Sequence, residues 1–112
     1  MSRMTPDEFR DIALSFPETE ERSHMNHPDF RVGGKIFATL GEDLSEAMAK
    51  LTPEQQQNFL RSDSGTFFPA AGAWGVRGAT MITLADADEE AVREAVGLAW
   101  RNTAPKKLLR ND

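Results

Sequence analysis

Two histidines and an aspartate lie close together early in the chain, in the pattern His24-x-x-His27-x-Asp29. Imidazole and carboxylate groups are common ligands of zinc and iron, so a metal centre is the first chemistry to consider. The chain holds 2 histidines in all and no cysteine, and Pro28 favours a turn over a rigid platform for ligands. We therefore expect no bound metal, and local hydrogen bonds for the two imidazoles.

The sequence patterns of nucleophilic catalysis and of phosphate-binding loops are missing. None of the serines lies in the Gly-x-Ser-x-Gly elbow that exposes a catalytic hydroxyl. Gly33-Gly34 is not followed by the Gly-Lys-Ser/Thr ending of a phosphate-binding loop. Most carboxylates fall in the first turns of predicted helices, where capping explains them. We expect a non-enzymatic protein with no catalytic residue and no cofactor.

Trp74 lies in the glycine-rich segment Gly72-Ala73-Trp74-Gly75, which we predict to be a loop. An aromatic ring in such a loop can stack on a base or line a pocket. The alternative is a ring that anchors the loop in the core, and the sequence leaves both interpretations open. Trp74, His24 and His27 form our candidate set for a small-molecule or protein-partner site.

The charge of the chain is unfavourable for loose binding to nucleic acid. Lys and Arg total 13 against 18 Asp and Glu, which gives a net charge of -5. Such binding depends on clustered cations that displace counterions from phosphates. Basic residues in the middle of the chain and in its tail are nevertheless candidates for phosphate contact, provided that the fold gathers them. They are Arg31, Lys35, Arg77, Lys106, Lys107 and Arg110.

The length of 112 residues suits a single domain, 1–112, with one hydrophobic core. No apolar stretch is long enough to cross a bilayer. The N-terminal residues MSRMTPDEFR are charged and lack the apolar segment of a secretory signal. We therefore expect a cytoplasmic protein without a membrane partner.

Two helices are predicted from capping signals followed by apolar residues at helical spacing. In each, a threonine at the N-cap precedes proline and is followed three residues later by Glu or Gln. The first helix begins after Thr5 and ends before Pro17, and the second begins after Thr52 and ends near Arg61.

A third helix is predicted near the C-terminus, with Asp86 as its N-cap and Glu89 in its first turn. Its apolar stripe includes Trp100, which we expect in the core, and Pro105 ends it. Acidic residues in the first turn suit the positive end of the helix dipole.

A tight hairpin is predicted around Gly33-Gly34, because glycines accept the positive φ angles that a two-residue turn requires. The turn should pair Val32 with Lys35 and Phe30 with Phe37. Apolar residues on both sides of the second strand indicate that it is central or covered.

The segment Leu44–Leu51 is ambiguous. Its apolar spacing fits a helix, but it is short and is followed at once by the N-cap Thr52, which favours a strand. Thr80–Leu84 is rich in β-branched residues and is predicted to be a further strand, and Phe67-Phe68 a short extended piece.

Several motifs follow one another in a specific order along nearly the whole chain. They are HxxHPxFRVxGKIFATL (24–40), LTPE (51–54), PAxGAWG (69–75), GxT (78–80), AW (99–100) and APKK (104–107). In this order they resemble the MmcQ/YjbR family of small bacterial proteins. The chain departs from that pattern at His24-Met25-Asn26, often His-Phe-Gly in the family, and at Ala79, where relatives commonly carry tryptophan.

The resemblance implies an α+β fold with one helix, three antiparallel strands, a helix, two strands and a helix, which makes Leu44–Leu51 a strand. The family is often labelled DNA-binding, through fold similarity to a viral transcription factor domain, and brings no catalytic activity. Our leading hypothesis is a non-enzymatic binding module of this family that contacts DNA through a sheet face, with the six basic residues named above. The alternative is a small-molecule or protein-partner module that uses the Trp74 loop.

Overall fold

The computed structural model describes residues 4–24, 27–41, 44–63 and 65–109, with the backbone alone at His24. The strands are β1 Thr19–His24, β2 His27–Val32, β3 Lys35–Leu40, β4 Glu46–Lys50, β5 Phe67–Pro69 and β6 Ala79–Thr83. The helices are α1 Pro6–Leu14, α2 Pro53–Ser62, α3 Gly72–Val76, α4 Glu89–Thr103 and α5 Lys106–Leu109, with a 3-10 turn at Leu84–Asp86. The structure is α+β, as predicted, and Leu44–Leu51 contains the strand β4.

The strands form one antiparallel sheet in the order β1-β2-β3-β4-β6-β5. Because neighbouring strands run in opposite directions, the end of β2, the start of β3, the end of β4 and the start of β6 meet at one end of the sheet. We call it the glycine-turn end, because the Gly33–Gly34 turn joins β2 to β3 there. Lys50 and its partner Ala79 lie at the same end.

The turn between β2 and β3 is the predicted two-residue hairpin. Gly33 and Gly34 have φ angles of 61° and 82°, in the region that glycine adopts at little cost. Val32 pairs with Lys35, which confirms the register next to the turn. The hairpin therefore places Lys35 at the first position of β3.

Further along the hairpin the predicted register is wrong. Phe30 pairs with Ala38 and not with Phe37, because the register shifts between Phe30 and Arg31. Phe37 is the extra residue of a β-bulge, which bends the strand. Phe37 and Ala38 are consecutive in sequence, yet both are fully buried. Both residues are therefore withdrawn from solvent at the point where the register shifts.

The helices α1, α2 and α4 pack on one face of the sheet. Helix α4 crosses β3 and β4 and also contacts α1, while α2 packs on β5 and β6. Aromatic pairs join the layers: the ring centroids of Phe9 and Phe30 are 6.0 Å apart, and those of Phe59 and Phe67 are 4.8 Å apart. None of the described helices is both long and apolar enough to cross a membrane.

The opposite face of the sheet is partly exposed. Four residues in register form a row across β3, β4, β6 and β5, and each is only half-buried: Thr39, Met48, Met81 and Phe68. This row contains no cation. The basic residues discussed below lie at the glycine-turn end instead.

Strand β1 is an element that the sequence pattern did not predict. Its residues, TEERSH, are polar throughout and lack the alternation that marks a half-buried strand. It lies at an edge of the sheet, where charged side chains discourage pairing with another chain.

The start of α4 also differs from the prediction. Asp88, and not Asp86, is the N-cap, and its side chain accepts a hydrogen bond from the Ala91 N–H at 3.1 Å. Asp86 lies in the preceding 3-10 turn. The predicted caps of α1 and α2 are confirmed as complete capping boxes.

Candidate functional site

Lys35, Lys50 and Arg77 come together at the glycine-turn end although they are distant in sequence. Lys35 begins β3, Lys50 ends β4, and Arg77 precedes β6, whose first residue Ala79 pairs with Lys50. These strands are neighbours in the sheet, so about 4.8 Å separates each from the next. The topology thus unites two of the predicted basic residues with Lys50, which the sequence analysis missed.

The three cations line one open cleft of about 360 Å³, which we call the basic cleft. Its remaining walls come from the β4–α2 junction and the last turn of α4: Leu51, Thr52, Pro53, Asn102 and Thr103. No carboxylate is found among the described residues that line it. A cleft lined by charges of one sign concentrates its field and attracts the opposite charge, here an anion.

The cations of the basic cleft differ from several arginines of other surfaces. Within the described part of the chain, several arginines lie within 3.1 Å of a carboxylate oxygen: Arg10, Arg22, Arg31 and Arg93. Lys35, Lys50 and Arg77 take part in no ion pair with the residues described. The positive charge of the cleft is therefore available to a ligand.

Asn102 joins the walls of the basic cleft. Its Nδ2 donates hydrogen bonds to the Lys50 carbonyl at 3.2 Å and to Gln55 Oε1 at 2.8 Å. The same Gln55 oxygen accepts from the Thr52 N–H at 3.0 Å, as half of the α2 capping box. The end of β4, the start of α2 and the last turn of α4 are thereby held together.

Gln56 positions the turn that carries Arg77. Its side chain is 4% exposed, and its Nε2 donates to the carbonyl oxygens of Gly75 at 3.1 Å and Ala79 at 3.0 Å. These two carbonyls lie on either side of Arg77 in the chain. The turn between α3 and β6 is therefore tied to the buried side of α2.

Arg31 and Lys107 lie in a second cleft, of about 600 Å³, that borders the glycine turn. Glu18 and Glu20 also line it, so its charge is mixed. Arg31 donates from Nε and Nη2 to the two carboxylate oxygens of buried Asp29, at 2.8 and 3.2 Å. These hydrogen bonds raise the pKa of Arg31 above its ordinary value. Its charge is partly balanced, unlike the charges of the basic cleft.

Two predicted basic residues remain. Lys106 begins α5 and is exposed. Arg110 lies outside the described residues.

The two predicted histidines lie away from the basic cleft. His24 and His27 pair at the end of the sheet opposite the glycine turn, and the side chain of His24 is outside the described residues. Asp29, the carboxylate of the motif, binds Arg31. The described residues contain no cluster of three or more His, Asp or Glu that could hold a metal ion.

Trp74 lies in the short helix α3, so the prediction of a loop there is wrong, and it is exposed over 63% of its surface. The interpretation of this ring as a core anchor is therefore wrong. Val76, two residues later, is 78% exposed. Helix α3 connects β5 and β6, whereas the histidines lie on β1 and β2, so the structure does not bring Trp74 and the histidines together.

Comparison with known proteins agrees with this architecture. The crystal structure of Deinococcus radiodurans protein DR2400, a DUF419 domain, matches with a TM-score of 0.72 and 17% identity, over 88% of this chain and 77% of that one. At this identity the match shows a shared fold alone. No curated protein matches the chain. The model of the YjbR family matches residues 14–102, and the chain therefore belongs to the YjbR family.

Proposed function

We propose that this protein is a non-enzymatic module that binds the phosphate backbone of DNA at the basic cleft. The observation that carries the proposal is the convergence of Lys35, Lys50 and Arg77 without a carboxylate among the described lining residues. Ammonium and guanidinium groups form strong, charge-assisted hydrogen bonds with phosphate oxygens. The cleft is open, as a continuous polymer requires.

The surroundings of the cleft are consistent with one oriented mode of binding. Lys106 and Lys107, on α5, extend the proposed contact beyond the glycine turn. The proposed contact also includes Arg110, for which the sequence pattern is the only argument. Arg31 is a weaker contact in this proposal, because Asp29 already binds its guanidinium. The acidic remainder of the molecule repels a polyanion, so DNA approaches from the basic cleft.

The test compares Arg77→Ala with Arg61→Ala in fluorescence anisotropy titrations of a labelled oligonucleotide at low salt. Both changes remove one arginine, and neither residue forms an ion pair within the part of the chain described. Arg61 lies near the end of α2, about 12 Å along the helix from its start at the cleft. Arg77→Ala should weaken binding to any sequence. It should also make the negative slope of log K against log salt shallower by about 1. Arg61→Ala should leave both unchanged.

Equal effects of the two variants would contradict the assignment of the cleft. Absence of binding to single-stranded and duplex DNA at low salt would remove the proposed function itself. Circular dichroism of both variants checks that neither change unfolds the protein.

A second candidate is a partner-binding module that uses α3. Trp74 and Val76 are neighbouring apolar side chains that the fold leaves exposed. A ring exposed over 63% of its surface cannot wall an enclosed pocket, so the geometry favours a protein partner over a small molecule. Tryptophan fluorescence with a panel of metabolites tests the small-molecule form. Unchanged binding of a responding metabolite to Trp74→Ala would exclude α3 as its site.

A further inference from the structure

We propose that the basic cleft binds single-stranded DNA and that one base stacks on the indole of Trp74. This inference rests on the proposed function of the cleft and adds the form of the nucleic acid and a second contact. It depends on three features of the structure: the exposure of the ring, its position beside Arg77 and the rigidity of α3.

The exposure of Trp74 is unusual for this chain. Its other tryptophan, Trp100, is 6% exposed and donates from Nε1 to the Pro17 carbonyl at 3.0 Å. Trp74 leaves 63% of its surface to solvent, on the five-residue helix α3. A stacking platform requires such an open ring, and every base offers a π-face to it.

The backbone places Trp74 about one helical turn before Arg77, a cation of the basic cleft. Arg77 follows Trp74 by three residues, and its N–H donates to the carbonyls of Ala73 at 3.1 Å and Trp74 at 3.2 Å. Arg77 has φ -85° and ψ 0°, so the helical rotation of α3 continues to it. Residues three apart on a helix lie on one side with their Cβ atoms about 5–6 Å apart. A strand with a base on Trp74 can therefore place a neighbouring phosphate at Arg77.

The ring is carried by a segment that hydrogen bonds anchor within α3 and just after it. A helix of five residues is too short to be stable alone. The two hydrogen bonds from Gln56 fix the carbonyls of Gly75 and Ala79, one inside α3 and one after it. A rigid platform loses little conformational freedom on binding, which favours affinity.

The form of the nucleic acid follows from the chemistry of the two contacts. In a duplex the faces of the bases are covered by their neighbours, so a ring can stack on a base only where the strand is unpaired. A protein partner for α3 would have to place an acidic or neutral surface against Lys35, Lys50 and Arg77. A single strand satisfies the apolar ring and the cations together, because it offers bases and phosphates in alternation.

The experiment measures anisotropy at low salt with three fluorescein-labelled probes: oligo-dT, an abasic strand of the same length and a duplex. The protein should bind oligo-dT roughly 5- to 100-fold more tightly than the abasic strand, the range expected for one stacked base. Trp74→Ala should bind oligo-dT as weakly as it binds the abasic strand. Trp74→Phe should retain part of the preference, and Val76→Ala, which removes the neighbouring apolar side chain, should retain all of it.

Intrinsic fluorescence supplies an independent measurement. Oligo-dT should quench the exposed Trp74, while the buried Trp100 remains in Trp74→Phe as a reference with little quenching. Equal affinity for oligo-dT and the abasic strand, or unchanged affinity of Trp74→Ala, would overturn the stacking contact and leave the cleft intact. Failure to bind all three probes would instead remove the proposed function on which the inference rests.

Discussion

Gln56 is the single residue on which the geometry of the site most directly depends. It is buried on α2, and its side-chain amide nitrogen donates to two backbone carbonyls, those of Gly75 and Ala79. Because carbonyls only accept hydrogen bonds, the amide group must direct its NH2 toward them. The side chain therefore holds Trp74 and Arg77 in place without touching the proposed ligand.

Gln56→Met should lower the free energy of unfolding by about 1–3 kcal/mol, because it keeps the side-chain volume and removes two buried hydrogen bonds. Gln57→Met is the matched control, since Gln57 is exposed on the same helix, and it should change stability by less than about 0.5 kcal/mol. Urea unfolding followed by tryptophan fluorescence measures both. Equal stabilities of the two variants would contradict this role of Gln56.

At the level of elements, the turn from α3 to β6 packs backbone to backbone against the β4–α2 junction. Gly78 has a φ of 114°, and a Cβ atom added to it would collide with the carbonyl of Leu51. This close approach holds Arg77 beside Lys50. The basic cleft thus depends on a position that admits no side chain.

Gly78→Ala and Gly34→Ala distinguish two reasons why a position requires glycine: a positive φ angle and a close approach of another backbone segment. Gly34 also has a positive φ, of 82°, but a Cβ atom there would meet nothing within 4 Å. We expect Gly34→Ala to cost about 1–2 kcal/mol, for the left-handed conformation alone. Gly78→Ala should cost clearly more and should also weaken DNA binding. Thermal unfolding with oligonucleotide titration tests this, and a Gly78→Ala protein as stable as Gly34→Ala would refute it.

For the whole molecule, the decisive property is the separation of charge. The net charge is -5, and the arginines paired with carboxylates lie outside the basic cleft. Lys35, Lys50 and Arg77 concentrate unbalanced positive charge at the glycine-turn end. An acidic protein can therefore offer a local site to a polyanion.

Three phosphate contacts on a single strand predict a slope of log K against log salt of about -2. Raising the salt from about 50 to about 200 mM should then weaken binding of oligo-dT roughly 20-fold. Anisotropy titrations at four salt concentrations measure the slope. A slope near zero would contradict phosphate contact at the basic cleft, whereas a slope much steeper than about -2 would show that Lys106, Lys107 or Arg110 contacts phosphates as well.

Much of the fold follows from signals that span only a few residues. The capping boxes at Thr5 and Thr52, the turn at Gly33–Gly34 and the strand register beside it were all predicted and are confirmed. Strand β1 was missed because its polar residues carry no alternation. The Phe30–Phe37 pair was wrong because the bulge at Phe37 shifts the register by one residue, and the local sequence pattern carries no signal for that bulge.

The amino-acid order by itself determined the starts of α1 and α2 and the glycine turn, because capping and turn formation act between near neighbours. It also carried the family resemblance, which implied the α+β class. Tertiary structure decided the site. Lys35, Lys50 and Arg77 meet because β3, β4 and β6 are adjacent, which is a property of strand order. Trp74 is exposed because no described element covers α3 on that side, whereas Trp100 packs beside Phe16, with ring centroids 6.2 Å apart. The convergence of the three cations and the exposure of Trp74 are set by contacts between segments that are distant in sequence. A local sequence pattern therefore does not reveal them.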